Sequence, residues 1–243
     1  MVTEQQLRAQ THRCERLQVP GGVPASWTTN FHWGDENAWI LDWFNNREKW
    51  ADGVDLVYFA GHAADGGWEV WKTPTMPEPG ARMVTPASLS DRHFGAHDLE
   101  WIAINGCGPL QDKDIVSGSG SVSASEIGES EAMDRWYKAF GGLHILLGFA
   151  EVILDNEDQG RRFAEFALKG QTVIDAWFSA ATITQANGAC FAAAMYPGMT
   201  TCRGQDRRPG PSLGSSGASG SGLGFVSEDV PDPDYFILMW TSL

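Results

Sequence analysis

Short apolar runs and amphipathic stretches follow one another along the chain. Apolar runs of this kind, bounded by turn residues, are typical of buried parallel strands, and apolar residues near the 3.6-residue period are typical of helices. Five strands are predicted, at Asp55–Ala60, Trp101–Asn105, Leu143–Phe149, Ala189–Tyr196 and Tyr235–Trp240. Four helices are predicted, over Ala38–Trp50, Glu131–Phe140, Asp158–Leu168 and Thr172–Asn187. Strands that alternate with helices predict an α/β protein, with a mostly parallel sheet covered by helices on both faces.

The remaining segments complete a single predicted domain over residues 21–243, preceded by a polar tail at 1–20. Strand-forming residues follow Gly21, a small hairpin strand is predicted at Trp68–Trp71, and 73–98 is predicted to be loop. Two Gly- and Ser-rich segments are predicted to be flexible loops within the domain because they cannot build a core. They lie at 117–125 and 207–224.

Charge and cysteine usage narrow the classes of function. The formal net charge of −14 would be repelled by nucleic acid and by an anionic membrane surface, so neither is expected as a partner. The N-terminal residues lack the apolar region of a secretory signal, and no apolar run has the length of a membrane span. The four cysteines, at positions 14, 107, 190 and 202, include no CxxC pair. Free thiols in the cytoplasm are therefore expected.

Two predicted strands end in residues that can do chemistry. Asp55–Ala60 is followed by Gly61 and His62, and Trp101–Asn105 is followed by Gly106 and Cys107. Sites in open parallel sheets form outside the carboxyl ends of the strands. If the two strands are neighbours, His62 and Cys107 emerge side by side.

This pairing is what a thiol nucleophile needs. An adjacent imidazole raises the thiolate fraction of a cysteine at neutral pH. The tetrahedral oxyanion also needs hydrogen-bond donors, and the backbone N–H groups of Ala63 and Cys107 can supply them. A substrate cleft is predicted around the pair, lined by Gly61, Trp68, Trp71, Gly106 and Gly108.

These residues resemble the caspase-like cysteine peptidases, the superfamily of caspases, legumains and gingipains. An apolar strand ending in Gly-His-small is followed by an apolar strand ending in small-Cys, most clearly over 54–62 and 101–107. A broader similarity to poorly characterised bacterial members covers about 35–195. The resemblance implies a three-layer caspase-like fold, with His62 as the acid–base and Cys107 as the nucleophile. The superfamily usually has Gly where this chain has Ala63, and often Ala or Ser where it has Gly106.

Other candidate residues point to less specific chemistry. His93 and His97 are spaced as two zinc ligands would be on a helix, but Gly95 interrupts them in a predicted loop, and no metal site is expected. His144 is predicted to be a satisfied core residue, and Cys190 and Cys202 are predicted to be inert.

The leading hypothesis is a hydrolase that cleaves a peptide or amide bond through a thioester on Cys107, without a cofactor. The alternatives are a related Cys–His enzyme acting on a small metabolite, as a hydrolase, acyltransferase or cyclase, and a non-catalytic binding scaffold. The expected partner is a peptide or a small-molecule substrate. The sequence leaves the choice of substrate and the oligomeric state open.

Overall fold

A computed structural model shows an α/β protein built on one six-stranded sheet and one small three-stranded sheet. It describes residues 31–32, 37–71, 81–91, 93–113, 115, 122–125, 130–185, 190–197 and 236–243. The predicted tail at 1–20 and the predicted loop at 207–224 lie outside these residues. The α/β class predicted from the sequence is confirmed.

Nine strands form the two sheets of the described chain. They are β1 (Leu56–Ala60), β2 (Ala63–Ala64), β3 (Gly67–Trp71), β4 (Ala81–Val84), β5 (Trp101–Asn105), β6 (Val122–Ser125), β7 (Ile145–Phe149), β8 (Phe191–Pro197) and β9 (Phe236–Ser242). The large sheet has the order β1-β5-β7-β8-β9-β6, and the small one has the order β2-β3-β4. In the large sheet β1, β5 and β7 are parallel neighbours, whereas β8, β9 and β6 add in antiparallel fashion. Four of the six strands therefore run in one direction.

Each face of the large sheet buries its own core. Strands β1 and β5 are buried on both sides, so their residues alternate between the two cores. Val57 and Ile102 belong to the core beneath the small sheet, while Leu56 and Trp101 belong to the core beneath two helices. Burial on both faces explains why these strands are continuous apolar runs in the sequence.

Three α-helices are described, together with short 3-10 turns. They are α1 (Glu131–Trp136), α2 (Asp158–Leu168) and α3 (Val173–Thr184). Helices α2 and α3 cover the core that contains Leu56 and Trp101. Helix α1 lies on the opposite face of the large sheet, together with the small sheet. The side chain of Ser130 begins α1 by accepting from the backbone N–H of Met133. Thr172 begins α3 in the same way.

The direction of β8 follows from the two helices that precede it. A single helix between two strands returns the chain to the end of the sheet where the first strand began, so the second strand runs parallel. Helices α2 and α3 pack together through a short connection, which leaves the chain at the end where β7 finished. Strand β8 then runs back beside β7, with Phe149 opposite Ala192.

The structure corrects three local predictions. The helix predicted over 38–50 is two separate 3-10 turns, Ile40–Trp43 and Arg47–Lys49, because the chain turns at 44–46. The loop predicted over 73–98 contains β4 and a 3-10 turn at Pro86–Ser88. The flexible loop predicted over 117–125 includes β6, which pairs with β9.

No helix in the described parts of the chain combines the length and the apolar character that a membrane crossing requires.

Candidate active site

The sheet register places His62 and Cys107 at the same edge of the molecule. Strand β1 pairs with β5 in parallel, and Ala60 lies opposite Asn105 at the carboxyl end of the ladder. His62 and Cys107 each follow this last pair by two residues. The ladder extends one step further, because the N–H of Gly61 donates to the carbonyl of Asn105 over 3.1 Å. The two residues therefore follow adjacent strands at the same end of the sheet.

The turns that carry the two residues are in direct contact. A Cβ atom added to Gly106 would lie 2.6 Å from the Cβ of Ala63, 2.7 Å from the carbonyl oxygen of Gly61 and 3.3 Å from the amide nitrogen of Ala63. Two of these distances are shorter than real Cβ contacts, so only glycine fits at 106 with its neighbours in place. The residue before the thiol thus packs against the residues on both sides of His62.

The small sheet leaves the N–H of Ala63 directed away from its partner strand. Glu69 donates its backbone N–H to the carbonyl of His62 over 2.8 Å, and Ala63 lies opposite Trp68 in the same antiparallel ladder. Hydrogen-bonded and non-hydrogen-bonded pairs alternate along such a ladder. The N–H of Ala63 consequently points away from β3, and its nitrogen lies close to Gly106. This is where the sequence predicts an oxyanion donor.

The turn after the thiol is held at several points. Gly108 has a φ of 61°, a left-handed conformation that favours glycine, and its N–H donates to the carbonyl of Glu151 over 3.0 Å. The N–H of Leu110 donates to the carbonyl of Phe149, also over 3.0 Å. The indole N–H of Trp136 donates to the carbonyl of Pro109 over 2.7 Å. The end of β7 and helix α1 together fix the chain that follows Cys107.

Trp68 is a buried core residue, whereas the sequence predicted that it lines a cleft. It is 1% exposed, and its ring stacks on Trp136 with centroids 5.3 Å apart and an interplanar angle of 21°. Since Trp136 binds the turn after Cys107, this stack connects the hairpin after His62 to that turn. Trp71 is partly exposed. Its backbone N–H donates to the carbonyl of Ala38 over 2.8 Å.

Arg135 on α1 holds the turn after Cys107 and is attracted by the charge of Asp65, a role that the sequence did not indicate. Its guanidinium donates to the carbonyl of Gln111, four residues after the thiol. Burial lowers the pKa of Arg135, while the carboxylates of Asp65 and Asp112 favour its charged form. Asp65 lies in the turn of the hairpin that follows His62. A lone arginine on a short helix carries no sequence signal for this role, because its partners are distant in the chain.

The two described cysteines differ in their surroundings. Cys107 is partly exposed, whereas Cys190 is 2% exposed at the start of β8. Burial, with the nearby negative charge of Glu151, raises the pKa of the Cys190 thiol to about 11. Cys190 is therefore almost fully protonated at neutral pH. Cys14 and Cys202 lie outside the described residues.

The remaining histidine candidates have separate positions in the structure. Both ring nitrogens of His93 are within hydrogen-bond distance of protein oxygens, at 2.9 Å from the hydroxyl of Ser90 and 2.9 Å from the carbonyl of Trp43. His97 lies 3.4 Å from a carboxylate oxygen of Glu48. His144 is 1% exposed and precedes β7.

One group of carboxylates comes together within the described chain. Oxygen atoms of Asp55, Asp98 and Glu100 lie within 4.8 Å of one another, at the amino ends of β1 and β5. Burial raises the pKa of Asp55, and the charge of Asp98 raises it further. The group is at the opposite end of these strands from His62 and Cys107, so it takes no part in their chemistry.

Comparison with known protein families places the chain. The model of a family described as a domain of unknown function, DUF6345, matches residues 23–241. No curated protein and no solved structure matches the chain. Because the family model extends over nearly the whole sequence, the chain belongs to the DUF6345 family.

Proposed function

We propose that this protein is a caspase-like cysteine hydrolase that cleaves a peptide or amide bond, with Cys107 as nucleophile and His62 as acid–base. The observation that carries the proposal is the register of β1 and β5, which brings the two residues to one sheet edge at the same offset. The three parallel strands β1, β5 and β7, with helices α2 and α3 on one face of the sheet, support the three-layer arrangement that the sequence resemblance implies.

In the first half of the reaction, the imidazole of His62 takes the proton of the Cys107 thiol. The thiolate attacks the carbonyl carbon of the substrate, and the oxyanion accepts hydrogen bonds from the N–H groups of Ala63 and Cys107. The C–N bond then breaks. The leaving amine departs with the proton returned by His62, and the acyl group remains on Cys107 as a thioester.

In the second half, His62 takes a proton from a water molecule, which attacks the thioester carbonyl. The C–S bond breaks, the acid product leaves, and the proton held by His62 restores the thiol. The contacts of Gly108, Leu110 and Pro109 support this assignment, because they fix the turn that bears the reacting sulfur. A fixed nucleophile contributes to the rate by holding the reacting atoms in position.

Alkylation of the intact protein by iodoacetamide, followed by mass mapping, tests the pairing directly. Cys107 should react much faster than Cys190 at pH 7, and His62→Ala should slow Cys107 by about tenfold or more. His97→Ala is the matched control, since it removes an exposed histidine remote from the thiol, and it should leave the rate unchanged. Equal loss in both variants, or no loss in either, would contradict the proposal.

Substrate class is resolved by a second experiment on the same variants. Acyl-transfer probes with a peptide recognition element and small acyl probes without one are compared for adducts at Cys107. Preferential labelling by the peptide series supports peptide cleavage. Preferential labelling by the small probes points to a metabolite enzyme, and a thiol inert to both series indicates a binding scaffold.

A further inference from the structure

We propose that Gly106 and Ala63 form an interlock, in which the single methyl group of Ala63 fills the space beside Gly106 and sets the separation of His62 from Cys107. This inference rests on the proposed function, since it assigns positioning roles to two residues of the same site. It starts from two small residues that flank the candidate pair, Ala63 directly after His62 and Gly106 directly before Cys107.

The structure brings these two residues together. The Cβ of Ala63 and a Cβ added at Gly106 would be only 2.6 Å apart, so the two positions compete for one volume. The methyl group of Ala63 occupies this volume and separates the two turns.

Space, and not backbone torsion, requires glycine at 106. Gly108, two residues later, has a φ of 61°, whereas Gly106 is not among the described glycines with positive φ. Alanine is therefore allowed at 106 by its backbone conformation. It is opposed by the methyl of Ala63 and by the carbonyl oxygen of Gly61 at 2.7 Å. Because the oxygen of Gly61 belongs to the backbone and cannot rotate away as a side chain could, the two turns must move apart to admit a side chain at 106.

Movement of these turns would affect the chemistry in two ways. Cys107 follows Gly106 directly, so a displacement of residue 106 moves the sulfur away from the imidazole of His62. The added methyl would also lie 3.3 Å from the amide nitrogen of Ala63, which is the oxyanion donor in the proposed mechanism. The interlock thus keeps the thiol within reach of its base and leaves the donor uncovered.

The test is a double-mutant cycle on the full chain, made of Gly106→Ala, Ala63→Gly and the two combined. Gly66→Ala is the matched control, because Gly66 lies in the same hairpin and a Cβ added there has no atom within 4 Å. The readouts are the pH profile of iodoacetamide alkylation at Cys107 and the urea midpoint of unfolding for each variant.

Gly106→Ala should slow alkylation at neutral pH by about tenfold, because the sulfur moves away from the imidazole of His62, and it should lower the urea midpoint. The double variant should recover part of both losses, because it removes the clash with the methyl of Ala63 and keeps the contact with Gly61. Gly66→Ala should match the original protein. Gly106→Ala with an unchanged profile, or a double variant no better than Gly106→Ala in rate and midpoint, would overturn the interlock.

Failure of the proposed function would look different. If His62→Ala leaves the alkylation profile of the original protein unchanged, the catalytic pairing is rejected. The interlock is then decided by the unfolding midpoints alone, which report whether positions 63 and 106 compete for the same space. Coupled midpoints support the interlock, and additive midpoints overturn it.

Discussion

Asp42 provides a pH-dependent test of the packing around the 3-10 turn that carries it. Its side chain is only 4% exposed in the 3-10 turn Ile40–Trp43, and burial raises its pKa to about 6. Hydrogen bonds from Asn46 and Trp39 and the charge of Lys49 oppose the shift without cancelling it. The second carboxylate oxygen accepts no hydrogen bond in the described chain. A charged carboxylate here therefore destabilises the folded state.

The size of the effect follows from the difference in pKa between the folded and unfolded states. A rise from 3.8 to about 6 is roughly two units, and each unit corresponds to about 1.4 kcal/mol, so the ionised form costs about 3 kcal/mol. Well below pH 3.8 the group is protonated in both states and there is no cost. The cost grows between about pH 3.8 and pH 6 and levels off above pH 6. Asp42→Asn removes this titration.

Urea unfolding followed by tryptophan fluorescence at pH 4 to 8 measures the effect. The free energy of unfolding of Asp42→Asn, minus that of the original protein, should be about 2.5 kcal/mol larger at pH 7 than at pH 4, where part of the cost of ionisation is already present. The packing cost of the amide itself is the same at both pH values and cancels from this difference. Asp91→Asn, at a side chain that is 82% exposed, is the control. A pH-independent difference for Asp42→Asn would refute the reasoning.

Two further substitutions test the contacts that hold the helices. Gly160→Ala should lower the free energy of unfolding by about 1–3 kcal/mol although alanine favours helices, because the new Cβ would lie 2.8 Å from the ring of Tyr58 on β1; an unchanged or raised urea midpoint would show that the ring yields freely. Asp112→Ala should cost about 1–3 kcal/mol, because the buried carboxylate accepts from the hydroxyl of Ser130 at 2.6 Å and from a backbone N–H of α1 at 3.0 Å. Loss of α1 protection in amide exchange, with the sheet unaffected, would confirm its role, and unaltered protection would contradict it.

The parallel half of the fold was predictable because its strands are buried on both faces. Burial of this kind leaves runs such as LVYFA and WIAIN, whose apolar character identifies them without knowledge of their neighbours. The direction of β8 was predictable in principle, since two helices lie between the third and fourth predicted strands. The short strands β4 and β6 were missed because their residues, ARMV and VSAS, lack a distinctive pattern. Their strand conformation depends on partners elsewhere in the chain.

The candidate site also contains residues whose positions the sequence predicted and residues whose positions it did not. His62 and Cys107 follow apolar strands, so their positions could be inferred from local sequence alone. The helix predicted at 38–50 was wrong because Asn45 and Asn46 favour a turn, although the apolar spacing around them resembles a helix. Trp68 was assigned to a cleft because it follows His62 closely in sequence. The sequence alone does not distinguish a tryptophan that lines a cleft from one that is buried in the core. Its burial, together with the stack on Trp136, identifies it as a core residue.

The placement of β6 has a consequence for synthesis of the chain. The strand follows Cys107 closely in sequence, but its described partner is β9, and Phe236 comes 111 positions after Ser125. At a translation rate of 5–20 residues per second, β6 emerges about 6 to 22 s before its partner. An unpaired strand edge that waits this long invites association with other chains. The small and polar residues of VSAS reduce this tendency, because they offer little apolar surface to a neighbouring nascent chain.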